Sequence, residues 1–481
     1  MRLRYTYADE LQDLCSQVRA QPLYQQRLAI TNRDLMRDLN ITDEEMNDEW
    51  WRKQLSDAAS ELQSKAVAQK YGGHQFGQWN PYLGDGRGHL LAEIEDKHGQ
   101  WHDVHLKGGG PTPYSRHADG KAVLRSSIRE YIASEALHAL GIPTSRALCL
   151  FDSDEAVKRE HIETAAMIIR TCPSHIRFGH FEYFHYSDNP SALDSLFDYC
   201  FQYLFNQEAS TEKPHANLFR TVMRKTAELV ADWQSVGFNH GVMNTDNMSI
   251  LGITLDYGPY AFLDNYEPEF RSNKSDQAGR YQFDQQPSIA LWNLNALAQA
   301  FTRYVSVGEL TSILEEFQPY LIDLYTTKMD RKFGFDAVSK DAIDDQQRIA
   351  EMRNQWLTLL QDQQLDYTQS FRILAKAQSS PEQFLQNFSV IASAQKWLSN
   401  YLEVIDEWNI NVSNLNTINP IIVPRNHHVQ IVIDAAINGD FTECESLLDA
   451  VSDPFNADNV AAKWLERVPT HAKGIALSCS S

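Results

Sequence analysis

Between His240 and Gly258 the chain reads HGVMNTDNMSILGITLDYG, with oxygen-bearing side chains on either side of an apolar run. Asn244-Thr245-Asp246-Asn247 precede the run Met248 to Leu255, and Asp256 follows it. A run this short, rich in Ile and Leu and closed by Gly258-Pro259, predicts a buried hairpin rather than a helix. Such a hairpin brings Asp246, Asn247 and Asp256 near one another. Mg²⁺ prefers ligands of this kind, one or two carboxylates completed by substrate phosphates. Asn and Asp also hydrogen-bond their own backbone in loops, so turn chemistry is the competing account of each residue taken alone.

Three further groups could act on phosphate. Leu83-Gly84-Asp85-Gly86-Arg87-Gly88 offers backbone N–H groups and one arginine in a glycine-rich turn, as a phosphate cradle or a plain hairpin would. It lacks the Walker A ending in Lys-Ser/Thr, so it is not a P-loop. Lys107 follows about twenty residues on, with Glu130 beyond it; a lysine held by a helix carboxylate fixes an ammonium on nucleotide phosphates. Both residues could equally be solvated surface charges. Arg170 and Arg177 flank Cys172-Pro173-Ser174-His175 and could clamp phosphate oxygens or form structural ion pairs.

Elements that would position these residues are readable from the periodicity. His89 to Glu95 and Trp101 to Lys107 predict two strands joined by a turn at Asp96-Lys97-His98-Gly99. Alternation puts Val104 and Leu106 on one face and Lys107 opposite Leu106. Leu124, Ile128, Tyr131, Ile132 and Leu137 recur at threes and fours, predicting a helix stopped by Gly141 and Pro143, with Asp119-Gly120 at its N-cap position. Strands are expected at Arg146 to Phe151 and Thr164 to Thr171, and helices from 193 to about 239. From about 288 onward the sequence is helix-like. Residues 1–65 read as a polar helical extension, with Thr42 and Glu45 as a capping box opening a helix.

Composition narrows the class. The 481 residues are 43% hydrophobic and 22% charged, with 22 Phe, 20 Tyr and 10 Trp, as expected of a packed globular protein. A net charge of −21 repels phosphate backbones and argues against nucleic acid as a general partner. Six scattered cysteines without a CxxC pair point to a reducing compartment rather than a disulfide framework or zinc site. The N-terminus MRLRYTYADELQDL has no apolar signal region, and no window approaches 18 apolar residues. The expectation is a cytoplasmic protein with no membrane partner.

The order of these parts matters more than any one of them. A glycine-rich turn between strands, a strand lysine, a helix glutamate, then Asn and Asp ligands is the order of a protein-kinase fold. His240 to Asn247 keeps the spacing of the kinase H-R-D-x-x-x-x-N loop, and Asp256-Tyr257-Gly258 stands where D-F-G would. The catalytic-loop Asp position, however, is Val242, which cannot accept a proton.

The stretches YGGHQFGQWNPYLGDGRG, LKGGGPTPYSRHADGKAVLRSSIREYIASEALHALGIPTSRAL, SHIRFGHFE, HGVMNTDNMSILGITLDYGPYAFLDNY and the C-terminal SCSS closely resemble the selenoprotein O family. The resemblance implies an α+β, kinase-like two-lobed fold. Its parts would be an extension (1–65), an N-lobe (66–180), a C-lobe (181–300) and a helical C-terminal region (301–481). It implies transfer of AMP, from an ATP bound in inverted orientation, to Ser, Thr or Tyr hydroxyls of proteins. By similarity Gly84, Gly86, Arg87, Lys107, Asp119, Gly120, Arg170, Arg177 and Asp256 contact the nucleotide, and Glu130 pairs with Lys107. Asn247 and Asp256 hold Mg²⁺ or Mn²⁺, and Asp246 accepts the proton in place of residue 242. UTP could substitute for ATP with manganese. A conventional kinase and a silent nucleotide-binding scaffold are the alternatives. Family members often carry a cysteine after the D-Y-G element that pairs with a C-terminal one. Here Ser272 stands there, which puts an internal disulfide with Cys479 in doubt.

Overall fold

The computed structural model describes residues 1–337, 343–469, 472 and 477 of the chain. The protein is α+β, with a large antiparallel sheet and many helices.

Seven strands form the main path of the sheet, in the order Cys15–Gln17, Val67–Gln69, Gly88–Glu95, Trp101–Lys107, Ile162–Cys172, Arg146–Asp152, Arg27–Thr31. The predicted strands are there, extended by a residue or two at their ends. The N-terminal stretch differs from a purely helical extension, because Leu3–Arg4, Cys15–Gln17 and Arg27–Thr31 all pair into the sheet. Thr42 and Glu45 make the reciprocal bonds of a capping box, yet no helix opens there. The helix starts at Asp48, capped by the Asn47 side chain, because that amide accepts from the Trp50 N–H at 2.8 Å.

Alternation along the long central strand separates two cores. Met167 and Ile169 pack with Val104, Leu106 and N-terminal residues such as Trp51. Ala166 and Ile168 face the helix Leu124–Ala139, whose Leu124, Ile128, Tyr131 and Ile132 share a core with Val429, Val432 and Leu447. The helix from the first part of the chain therefore lies between the sheet and helices Asn426–Ala436 and Thr442–Ser452. Its period predicted one buried face. Most of its length is buried, because it has partners on both sides.

A second, mostly helical body is built on Phe178–Tyr186, Pro190–Tyr203, Pro214–Val236 and Gln286–Phe301, which share one large core. A further core around Trp356, Phe371, Trp397 and Tyr401 holds most of the region after residue 320. Among the described residues no helix is long and apolar enough to cross a membrane.

Candidate active site

Strand register starts the site. Gly88, where the glycine-rich turn enters its strand, sits opposite Lys107, and Lys107 sits opposite Ile168 on the other side. Arg170 follows Ile168 on the same face. Lys107 and Arg170 thus emerge together over the helix that carries Glu130. Lys107 Nζ bonds Glu130 Oε1, and Arg170 Nη1 lies 3.6 Å from Glu130 Oε2. Burial alone would raise the Glu130 carboxyl, but Lys107 and Arg170 hold it below its ordinary value.

The run Met248 to Leu255 folds back on itself, bridged at Met248 and Thr254, while Ser249 pairs with Arg177. This short hairpin delivers Asp256 to three cations. Arg170 Nη2 donates to Asp256 Oδ1 at 3.0 Å and Arg177 Nη1 to Oδ2 at 2.6 Å, with Lys107 Nζ 3.5 Å from Oδ1. Against the cost of burial, Arg170, Arg177 and Lys107 keep the Asp256 carboxyl well below the ordinary carboxylate range. The same Arg177 nitrogen donates to the Asp246 carbonyl at 2.9 Å, so one guanidinium ties both acidic positions together.

Asp246 is held differently. It lies in a single turn of 3₁₀ helix, Thr245–Asn247, with its carboxylate buried and Oδ1 lacking a hydrogen-bond donor. Burial raises its pKa to about 7, opposed by Arg177 and reinforced by Asp256 and Glu182. Asn247 donates from Nδ2 to the Val242 carbonyl at 3.1 Å, which occupies the amide nitrogen and leaves its oxygen as a ligand atom. His240, buried, anchors the loop by bonding the Leu255 carbonyl at 3.0 Å.

One cavity of about 810 Å³ collects the parts. Gly84, Gly86, Arg87, Lys107, Asp119, Gly120, Glu130, Arg170, Arg177, Asp246, Asn247 and Asp256 all line it, and so does Val242. The glycine-rich turn is shaped from beneath. Asp85 is buried, accepts from the Gln69 N–H and the Tyr71 hydroxyl, and bonds His105. Gly84 has φ +112°, and a Cβ there would lie 2.7 Å from the Tyr114 ring. Asp119 corrects the expectation of an N-cap. Val123 occupies that position, and the Asp119 carboxylate instead pairs with Arg159 at 2.8 Å and accepts from the Lys121 N–H. Gly120 turns the chain there with φ +69°, against the Gly110 carbonyl.

Sequence comparison decides the family. The model of the family described as protein adenylyltransferase SelO matches residues 2–452. The chain belongs to the SelO family. It is 45% identical over 487 aligned positions to protein nucleotidyltransferase YdiU of Pseudoalteromonas atlantica, covering 100% of both chains. The protein of the same name from a Marinomonas species is 39% identical, again over 100% of both. That of Pseudomonas fluorescens is 45% identical over 86% of this chain and 85% of its own. As a SelO family member the chain is a protein nucleotidyltransferase.

A divalent cation fits this SelO cavity on its donor set. Asn247 and Asp256 supply oxygens only, and among the described residues no cluster of three His, Cys, Asp or Glu could form a complete cage. That suits a hard cation completed by phosphates and water. Cys479 lies outside the described residues. Leu477, two residues before it, pairs with Asn273 and donates to the Ser272 carbonyl, while the Ser272 hydroxyl bonds Asn239. Residues behind the site, outside any motif, also shape it. Glu182, with 0% exposure, bonds both Thr245 and His74 and so backs the Asp246 turn. Gly72-Gly73 and Gly179 were the available clue, since a Cβ on Gly73 would lie 2.7 Å from Asp246 Oδ1.

Proposed function

We propose that the chain transfers AMP from ATP to Ser, Thr or Tyr hydroxyls of proteins, on a two-lobed kinase-like fold with the nucleotide inverted. In this reading residues 66–180 form the N-lobe and 181–300 the C-lobe, with the cavity between them. The observation that carries it is the composition of that cavity: valine at position 242, a buried carboxylate at Asp246, and three cations converging on Asp256. A kinase needs its catalytic carboxylate at the first of these positions. Asp246 supplies one four residues on.

The acceptor hydroxyl oxygen forms its bond to the α-phosphorus as the bond to the β-phosphate oxygen breaks and pyrophosphate leaves. The hydroxyl proton passes to the Asp246 carboxylate. Lys107, Arg170 and Arg177 neutralise the leaving pyrophosphate, which carries more charge than a single phosphoryl group and so has use for the two extra arginines. Glu130 fixes Lys107. Gly84, Gly86 and Arg87 cradle phosphate from above, and Asp119 with Gly120 closes the far end of the nucleotide site. Mg²⁺ or Mn²⁺ on Asn247 and Asp256 would add charge neutralisation at the phosphates. None of these side chains selects a base, so UTP is expected to serve as donor too, with manganese, giving UMP-protein. Scattered cysteines support a cytoplasmic location.

Incubation with α-labelled and, separately, γ-labelled ATP tests the reading. Label is expected on protein from the α position only. Retention from the γ position alone would mean a conventional kinase, and no retention from either would mean a silent scaffold.

A further inference from the structure

The hairpin formed by Gly73–Gln75 and Gln78–Asn80 stands beside Asp246, and its Gln75 and Phe76 line the same cavity. Its register pairs Gly73 with Asn80, His74 with Trp79 and Gln75 with Gln78, leaving a two-residue loop of Phe76 and Gly77. Both loop residues have positive φ, 51° and 82°, as the tight right-twisted hairpin turn requires. Glycine or asparagine normally takes the first of these positions; a phenylalanine there is sterically costly. The residue is 42% exposed, with one side of its ring against Tyr281 at 5.1 Å between ring centres. At the cavity rim it presents an apolar surface to whatever enters beside Asp246.

The hairpin is locked to the catalytic turn. The His74 N–H donates to Thr245 Oγ1 at 2.7 Å, and Glu182 bonds both His74 Nδ1 and Thr245. The Phe76 N–H is shared between the Tyr281 hydroxyl at 2.9 Å and Asn244 Oδ1 at 3.3 Å. Phe76 therefore sits at a fixed offset from Asp246, and both line the same cavity.

Beneath the tip lies a cation, Arg280, with no acidic partner among the described residues. The Arg280 guanidinium is 4.7 Å from the Trp292 ring centre and about 3.5 Å from where a Cβ on Gly77 would be. Asp276, four residues back, spends its two oxygens on the backbone N–H groups of Arg280 and Tyr281. Arg280 Nε is buried and lacks a hydrogen-bond partner. Held over the Tyr281 and Trp292 rings, the Arg280 guanidinium can form a charge-assisted bond with a carboxylate brought by another molecule.

We propose that this hairpin, with Phe76 at its tip and Arg280 and Trp292 beneath, seats the acceptor protein through a segment carrying a carboxylate beside its hydroxyl. The inference rests on the reading of Asp246 as proton acceptor. The acceptor side chain packs against Phe76, its neighbouring Asp or Glu reaches Arg280, and the hydroxyl is directed toward Asp246.

Two fluorescently tagged peptides test it, alike except that a single tyrosine is flanked by glutamates in one and by lysines in the other. With the full-length protein, anisotropy is expected to show the acidic peptide binding at least about tenfold more tightly. Arg280→Glu should erase or invert that preference without changing the dissociation constant for ATP, while Arg280→Lys should keep it. Phe76→Ala should weaken both peptides. Equal binding of the two peptides to the natural chain, or an unchanged preference in Arg280→Glu, overturns the proposal. A Phe76→Ala loss confined to ATP also overturns it, by assigning the ring to the nucleotide base. Adding α-labelled ATP separates the two readings. Charge-selective binding with no AMP on the bound peptide would overturn the transfer reading and leave the seat standing. AMP on both peptides at rates indifferent to Arg280 would do the reverse.

Discussion

Asp256 neutralises Lys107, Arg170 and Arg177 at once, so its loss is felt before any chemistry. Asp256→Asn leaves three positive charges facing one another with Glu130 as their remaining carboxylate. We expect a destabilisation of roughly 3 kcal/mol, read as a lower midpoint of thermal unfolding, together with loss of transfer. ATP should return part of that midpoint, because its phosphates enter between the same cations. An unchanged midpoint would mean that the three cations do not depend on Asp256. Asp246→Ala touches none of those charge pairs. It is expected to keep ATP binding and to cut AMP transfer about 10²–10⁴-fold, the usual range for a lost general base. Transfer at the natural rate would remove Asp246 from the mechanism. Residue types alone carried much of this: a lysine, a glutamate, two arginines and two aspartates in kinase order. What they left open was partnership. Asp119 read as a helix cap because it precedes a helix, but the closing Arg159 is forty residues away along the chain and was not visible as its partner.

The elements meet through glycines. Gly73 in the hairpin lies so close to Asp246 Oδ1 that a methyl group has no room, and Gly179 meets the Gly72 carbonyl in the same way. Gly73→Ala is therefore expected to push the Asp246 turn aside. Turnover for AMP transfer should fall at least about tenfold, as misplacement of a reacting group by a fraction of an ångström does, while the dissociation constant for ATP stays near its natural value. Equal losses in both would mean that the hairpin supports the nucleotide site instead. Strand alternation around Lys107 and the period of the Leu124–Ala139 helix were readable because each element shows one apolar face. The hairpin carried no such pattern. Its polar and aromatic residues point into contacts with Thr245, Tyr281 and Trp292 that are distant in sequence.

At the scale of the whole molecule the C-terminal helices brace the site from behind. Leu447 packs in the core that also holds Ile128 and Ile132, two residues to either side of Glu130 on its helix. Arg129 bonds the Tyr260 carbonyl, beyond Asp256, and Asn426 at the start of another C-terminal helix. Leu447→Ala should cost about 2–5 kcal/mol of stability and, because the Glu130 helix loosens, should weaken ATP binding as well. Unaltered ATP affinity at lowered stability would make the brace merely structural. Histidines set the response to acid. Burial lowers His89, His240 and His427 to about 4, His180 to about 3 and His428 to about 2, and lowers His175 well below its ordinary value. Between about pH 6.5 and 4 the unfolded chain takes up these protons and the folded chain does not. The stability they contribute is complete above 6.5 and is lost as pH falls through that window. His138, His185 and His215 are lowered as well, while Asp246, raised to about 7, Asp103, raised well above its ordinary value, and Asp232, also raised, act in the opposite sense, three groups against nine. The unfolding midpoint should therefore drop steadily from pH 7 to pH 4.5, well before ordinary carboxylates titrate; a flat profile in that range would contradict the burial of these rings.

The amino-acid order alone limits which chemistry is available, because oxygen ligands, cations and their succession are local facts of the chain. It also determined the strands and the helix that carry them, since periodicity is set by near neighbours. Which charges meet depends on the folded chain. Arg177 joins Asp246 to Asp256, and Glu182 stands behind the Asp246 turn. Those pairings join segments 63 to 79 residues apart, and burial makes them strong only once the cores have closed around them.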